Sequence, residues 1–258
     1  MLVSHAVIPL DFQRCTVLTL TQGTGTGIWA TDMADKFPNS QVIGTDLSPI
    51  APGMQPDNVT FEIDDCCSAW VYPEDHFDFV HIRGLFGSIG DWPRLYREAY
   101  RHLRPGCYIE QVEWSVHNRA SDGTMSFIPE FAQWSQNAIR VATMTGKTFE
   151  IAENMAGLLR EAGFTDVVEK RFKWPVGPWS SDPKLKEIGR WNLLNWEEGM
   201  EGWVMAAYTR VLGVSAAFRM QCDPTRTAKP LSVVLSASPR LFATGENSSA
   251  RPPASCLS

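Results

Sequence analysis

TVLTLTQGTGTGIWATDMADKFPNSQVIGTD, residues 16–46, runs from an apolar stretch into a glycine-rich turn, then through an amphipathic stretch into a second apolar stretch that ends on an acid. That order reads as strand, tight loop, helix and strand, the first half of a nucleotide-binding βαβ unit. Gly23, Gly25 and Gly27 alternate with Thr24 and Thr26. Glycines there permit a sharp turn and the close approach of a ligand where any Cβ would collide. A helix beginning near Ile28 aims its unpaired N–H groups at the same place. Asp46 closes the second strand, where a carboxylate can accept from both hydroxyls of a ribose. An adenosine-containing cofactor is the leading expectation.

Spacing chooses among such cofactors. The dinucleotide fingerprint G-x-G-x-x-G needs its third glycine at position 28, which here is Ile28. The pattern G-x-G-x-G suits a ligand with no pyrophosphate to cradle. S-adenosylmethionine is such a ligand, its aminoacyl end lying over the loop, and a nicotinamide cofactor is disfavoured.

The alternation continues along the chain. Val59–Asp64 and Phe77–Ile82 read as strands, the second preceded by the turn-like Tyr72-Pro73-Glu74-Asp75. From Trp92 to Leu103, Leu95, Ala99 and Leu103 recur at helical spacing among Arg94, Arg97, Glu98 and Arg101. Arg104-Pro105-Gly106 is expected to end that helix before a strand at Cys107–Val112. A helix closing at Leu158–Gly163 and a strand at Val167–Phe172 follow. Strands alternating with helices predict an α/β fold, a parallel sheet with helices on both faces. From Trp174 to Leu212 the pattern is mostly helical and rich in aromatics, a candidate cap over the sheet edge. The expected organisation is an irregular 1–15, a catalytic domain over 16–215 with its cap around 174–212, and a tail over 216–258.

Composition sets looser bounds. With 258 residues, 44% hydrophobic and 20% charged, the chain can bury a substantial core. A net charge of −6 argues against a nucleic-acid surface, which clustered Lys and Arg would provide. No run has the apolar length of a membrane span, and MLVSHAVIPL is unlike a secretory signal. The six cysteines form no C-x-x-C and the five histidines show no ligand spacing. A reduced, intracellular, metal-free protein is expected, cytoplasmic or nuclear. Adjacent Cys66 and Cys67 read as small packing residues rather than a redox pair.

GTGTGIWATDMADKFPNSQVIGTDLSPI, FEIDD, FDFVHIRGLFGSIGDWPRLYREAYRHLRPG and LLREAGFTDVVEKRFKWPVGPW together resemble one family. They are similar to the fungal class I methyltransferases related to the velvet-complex regulator of secondary metabolism, and the likeness runs from about Gly23 to about Gly213. It implies a Rossmann-like fold, S-adenosylmethionine binding and, often, a place in a secondary-metabolite gene cluster. In the family pattern Gly23, Thr24, Gly25, Gly27 and Asp46 belong to the cofactor site. Asp65 matches the acid that accepts from the adenine amino group, and Cys66 offers its backbone N–H to the ring. Read alone, Asp64-Asp65 is equally a solvated turn.

Ligands of such sheets sit beyond the C-terminal ends of the strands, which gathers Asp46, Asp64-Asp65, His81 and Arg83 around one crevice. Methyl transfer from a sulfonium needs alignment and exclusion of water, with a base only for a hydroxyl or protonated amine acceptor. His81 and Arg83 are the candidate catalytic pair. His81 serves as base or as a histidine bonded within the crevice wall. Arg83 orients an acidic acceptor or pairs with Glu113. Of Glu110 and Glu113, one faces the pocket or both stand at its rim. Trp174, Trp179, Trp191, Trp196 and Trp203 line an aromatic acceptor site or pack as core.

Both ends depart from the family pattern. Members carry tens of residues of helix before the first strand and close with a helix and an antiparallel strand; neither is evident here. Where the family has an acid two residues before Gly23, this chain has Thr21, which weakens the hold on the cofactor's ammonium. After Ser215 no tryptophan occurs, Ser, Ala, Pro and Thr dominate, and five Lys/Arg stand against two Asp/Glu. That composition predicts disorder apart from a strand at Leu231–Leu235. A sheet incomplete at both ends, with an inner strand left as an edge, is the expectation, and displaced exon boundaries are its proposed origin. Two functions remain: methylation of a small-molecule acceptor, and a regulatory partner protein using the same fold.

Overall fold

A computed structural model describes residues 2–5, 18–49, 53, 55–120, 129–205 and 210–212. The expected tail over 216–258, with its strand at Leu231–Leu235, lies outside them. The chain divides into two compact units, Met1–His117 with Ser135–Lys173, and Asn118–Trp134 with Trp174–Ser258.

The first unit is built on seven strands. They are β1 (Leu2–His5), β2 (Leu18–Gln22), β3 (Gln41–Asp46), β4 (Val59–Ile63), β5 (Phe77–Arg83), β6 (Leu103–Trp114) and β7 (Glu169–Phe172), in the order β4-β3-β2-β5-β6-β1-β7. Strands β2 to β6 are parallel, and β1 is antiparallel to both of its neighbours. Central β5 has Phe77, Phe79, Val80, His81 and Ile82 buried, as a strand covered on both faces requires. On one face α1 (Ile28–Lys36) brings Trp29, Met33 and neighbouring Phe37 against Phe79. On the other, α2 (Trp92–His102) and α4 (Ile151–Glu161) pack Leu95, Tyr96, Ala99, Ile151, Met155 and Leu159 against Leu20, Val80, Ile82 and Ile109. Helix α2 starts where Asp91 accepts from the Arg94 N–H at 2.9 Å and Pro93 supplies a preset φ. Helix α3 (Pro129–Met144) precedes α4.

Two expectations are corrected. Arg104-Pro105-Gly106 does not separate helix from strand: β6 begins at Leu103, directly after α2, and those residues bulge within it. Leu103 pairs with Phe77 and Tyr108 with Phe79, so five steps on β6 oppose two on β5. The second correction concerns the sheet edge. Residues 2–5, expected to be irregular, pair from Leu2 to Trp114 and Phe172 through His5 to Gln111 and Glu169. The expected open edge at β6 is covered by β1, which lies between β6 and β7, and β6 is no edge. Four residues carry too little periodicity to announce such a strand. Deleting residues 1–5 should leave β6 and β7 facing an open slot and produce concentration-dependent self-association in light scattering. A deletion variant that stays as monodisperse as the full chain would count against this pairing.

In the second unit, α5 (Pro183–Met205) carries Trp191, Trp196 and Trp203. The Trp196 ring packs edge-on against Trp134 and Trp203, at 5.8 and 5.9 Å between centroids. The segment before α5 crosses it closely: Asn192 Nδ2 donates to the Pro175 carbonyl at 2.8 Å, and a Cβ on Gly189 would lie 2.1 Å from the Gly177 oxygen. Among the described residues no helix is long and apolar enough to cross a membrane.

Candidate functional site

The glycine turn between β2 and α1 is held by backbone bonds. Thr24 N–H donates to the Thr45 carbonyl at 2.9 Å, and Gly27 N–H to the Thr24 carbonyl at 3.0 Å. Gly23, Gly25 and Gly27 all have positive φ, at 64°, 57° and 77°. Their surroundings differ. A Cβ on Gly23 would lie 2.3 Å from Leu85 Cδ2, and one on Gly27 would lie 2.4 Å from Phe61 Cζ. A Cβ on Gly25 would meet nothing within 4 Å. Two of these glycines admit protein neighbours, and the third faces open space. Helix α1 starts at Gly27 with no side-chain cap. Its first N–H groups therefore remain available to a ligand.

Asp46, half-buried at the end of β3, grips this turn. Its Oδ2 accepts from Gly25 N–H at 2.8 Å and its Oδ1 from Ser48 N–H at 3.0 Å. A carboxylate has about four acceptor positions, so about two remain for the hydroxyls of a ribose. The Asp46 carbonyl accepts from Asp64 N–H at 3.0 Å, which brings the next acid-bearing loop alongside. There Asp65 caps a turn, accepting from Cys67 N–H at 2.9 Å. Cys66 and Cys67 are free thiols, and burial pushes Cys66 up to about 12. Asp65, Cys66 and Cys67 are the described side chains close enough to share a metal ion, within 4.8 Å. A thiol held in its neutral form is a poor ligand.

Thr21 and Gln22, preceding the turn, are buried, and Thr45 Oγ1 donates to Gln22 Oε1 at 2.6 Å. The uncharged pair therefore belongs to a polar knot within the sheet.

His81 is placed under α1. Its ring is stacked on Trp29, 3.8 Å between centroids and 2° from parallel, and its Nδ1 lies 3.0 Å from Glu110 Oε2. Burial lowers its pKa against the opposing pull of Glu110, so the neutral ring donates from Nδ1. Nε2 is buried without a hydrogen-bond partner. This is the crevice-wall arrangement, with Glu110 as its anchor. Arg83, at the end of β5, is exposed and forms no ion pair among the described residues.

Glu113 turns instead to backbone. Fully buried near the end of β6, it accepts from Leu85 N–H at 2.9 Å and Phe86 N–H at 3.3 Å. Burial outweighs these bonds and raises its pKa from 4.5 to about 7. A carboxyl whose folded pKa exceeds its unfolded one keeps its proton longer when folded, so stability falls as pH rises between those two values. We expect the wild type to lose about 3 kcal/mol of unfolding free energy between about pH 4.5 and pH 7, relative to Glu113→Gln. Urea titrations at both pH values measure the difference, and parallel losses in the two proteins would refute it.

A second histidine stands just past β6 and was not singled out from the sequence. His117 Nε2 lies 3.1 Å from Glu150 Oε1, both side chains half-exposed, and His117 N–H donates to Ser115 Oγ at 3.1 Å. Ser115 Oγ in turn bonds Glu153 on α4. The partners are 33 residues apart, so no local spacing announces them. Trp179 and Trp191, proposed as pocket residues, are 40% and 65% exposed in the second unit.

Comparison with known proteins bears on this site. A family model described as a methyltransferase domain matches residues 20–169. Methyltransferase pytC of Aspergillus terreus is 41% identical over 206 residues, covering 80% of this chain and 63% of that protein. Secondary metabolism regulator LAE1 of Cochliobolus heterostrophus is 39% identical, over 74% of this chain and 63% of that protein. The laeA regulator of Aspergillus fumigatus is 37% identical, over 75% and 52%. The chain thus spans less than two thirds of the length of these relatives. A solved phosphoethanolamine N-methyltransferase 2 of Haemonchus contortus, in complex with S-adenosylhomocysteine, aligns with a TM-score of 0.48 at 23% identity, over 77% of this chain and 44% of that one. On the family model, which matches more than half of its length, and on identities of 41% and 39% over 80% and 74% of it, the chain belongs to the methyltransferase-domain family.

Proposed function

We propose that the chain binds S-adenosylmethionine at the glycine turn and transfers its methyl group to a small-molecule acceptor of secondary metabolism. The observation that carries this is the empty space at Gly25, bordered by Asp46 with acceptor positions to spare and by the uncapped start of α1. When bound, the cofactor supplies a methyl group on a cationic sulfur, already activated for in-line displacement. Asp46 would hold the ribose while still holding Gly25, and Asp65 and Cys66 would meet the adenine. Exposed Arg83 would draw an acidic acceptor to the end of β5. His81, stacked under α1, serves as a wall; where the acceptor must lose a proton, half-exposed His117, paired with Glu150, is the candidate base. No nucleic acid and no membrane is part of this reading, which places the protein in the cytoplasm.

The test is calorimetric titration with S-adenosylmethionine and S-adenosylhomocysteine, with NAD as the control ligand. Micromolar binding of the first two alone is expected; a folded sample binding neither would overturn the reading.

A regulatory, partner-binding role, in the cytoplasm or nucleus, is the second reading. One observation favours it: Trp191, Leu194 and Trp203 on α5 are 65%, 40% and 44% exposed, the kind of apolar surface a protein partner covers.

A further inference from the structure

Along one face of β6 the residues change from apolar to polar toward the C-terminal end. Ile109 belongs to the core, Gln111 and Glu113 are both 0% exposed. They form a chain: Tyr96 O–H donates to Gln111 Oε1 at 2.6 Å, and Gln111 Nε2 donates to Glu113 Oε1 at 3.4 Å. A carboxyl set into an apolar core costs free energy unless its oxygens are used. These oxygens are used on the loop after β5, where consecutive N–H groups of Leu85 and Phe86 point inward and are received one on each oxygen. An apolar side chain would fill the space but leave both N–H groups without acceptors.

That loop meets the glycine turn. The Leu85 methyl group closest to Gly23 sits where a Cβ would be, at 2.3 Å. The loop is also moored by Gly84 N–H to the Val112 carbonyl at 3.1 Å and by Gly87 N–H to the Thr148 carbonyl at 2.8 Å. Phe86 packs edge-on against Trp114 and Phe149, at 4.7 and 5.2 Å. Between those moorings Glu113 receives the N–H groups of both residues.

We propose that Glu113 is a positioning residue, which holds Leu85 against Gly23 and thereby sets the shape of the cofactor turn from the far side of the sheet. The proposal rests on the reading of this turn as the S-adenosylmethionine site. Glu113 touches no ligand; it acts through the backbone of Leu85 and Phe86.

The experiment compares Glu113→Ala, Glu113→Gln, Leu85→Ala and the Glu113→Ala/Leu85→Ala double variant. S-adenosylhomocysteine affinity is measured by calorimetry and amide exchange by mass spectrometry. Two hydrogen bonds to the Glu113 carboxyl are at stake, so Glu113→Ala should weaken S-adenosylhomocysteine binding about tenfold or more. Exchange should quicken in residues 84–87 and also in 23–27. Glu113→Gln keeps one acceptor and should recover part of the affinity. In the Leu85→Ala background, Glu113→Ala should cost little further affinity, because the route through Leu85 is already cut. A merely structural role predicts lower melting temperature with unchanged affinity and unchanged exchange in 23–27, and that result would overturn the proposal. If Glu113→Ala does not fold, Glu113→Gln decides by the same two readouts. If the wild type binds no S-adenosylhomocysteine, the cofactor reading falls, and exchange in 23–27 alone judges the strut.

Discussion

Gly25→Ala should fold almost as well as the wild type and bind S-adenosylhomocysteine about tenfold or more weakly, whereas Gly27→Ala should lose its fold first. The two glycines stand two residues apart with similar backbone conformations, φ 57° and 77°. An alanine in either pays the left-handed strain of about 1–2 kcal/mol. At Gly25 nothing else follows, because no atom lies within 4 Å of the new methyl group. That methyl group would enter the space proposed for the cofactor, so affinity should fall about tenfold or more. At Gly27 the methyl group would meet Phe61 ring atoms at 2.4 and 2.6 Å, and the same ring already lies 2.8 Å from the Cβ position of Gly44. Overpacking and strain together should cost about 3 kcal/mol, or roughly 6–12 °C in melting temperature. Phe61→Leu in the Gly27→Ala background should return the overpacking share of that loss and leave the backbone strain. Thermal melts beside calorimetry separate the two effects; equal loss of stability in both variants would show that the space at Gly25 is not open.

The second large effect is expected at Asp46. Asp46→Ala removes the acceptor of the Gly25 and Ser48 N–H groups and the proposed anchor of the ribose. Hydrogen bonds to a charged group contribute about 1.5–3 kcal/mol each. S-adenosylhomocysteine affinity should therefore drop about a hundredfold. Asp46→Asn is informative because it preserves shape. Its amide nitrogen would face one of the two N–H donors, so it should bind more weakly than the wild type and yet more tightly than Ala. Affinity within about threefold of wild type in Asp46→Ala would remove this residue from the site.

Most of the sheet was legible because its strands are long enough for pattern to show. β4 and β5 match their expected bounds within a residue, β3 ends on Asp46 as expected, and α1 begins at Ile28 as expected. The glycine turn was legible because its chemistry is local. What escaped is contact between distant segments. His117 and Glu150 meet only once β6 and α4 are in place, and Glu113 finds the loop after β5 rather than Arg83 because it faces the α2 side of the sheet. From its position on a strand His81 reads as a base or as a histidine of the crevice wall, and the packing of Trp29 over it favours the wall. Arg104-Pro105-Gly106 reads locally as a stop signal, and the ladder with Phe77 and Tyr108 on either side absorbs it as a bulge.

The strand β1 carries a consequence for how the protein is made. Its partners are β6 and β7, and Glu169 lies 164 residues beyond His5. During synthesis these four residues leave the ribosome long before either partner exists, and contacts so distant in sequence close slowly. A nascent chain therefore builds its sheet from β2 outward and holds a vacant channel between β6 and β7 until β1 returns to it. Of these strands β1 is made first and settles last, and a chaperone or a neighbouring nascent chain has that interval in which to reach the channel first.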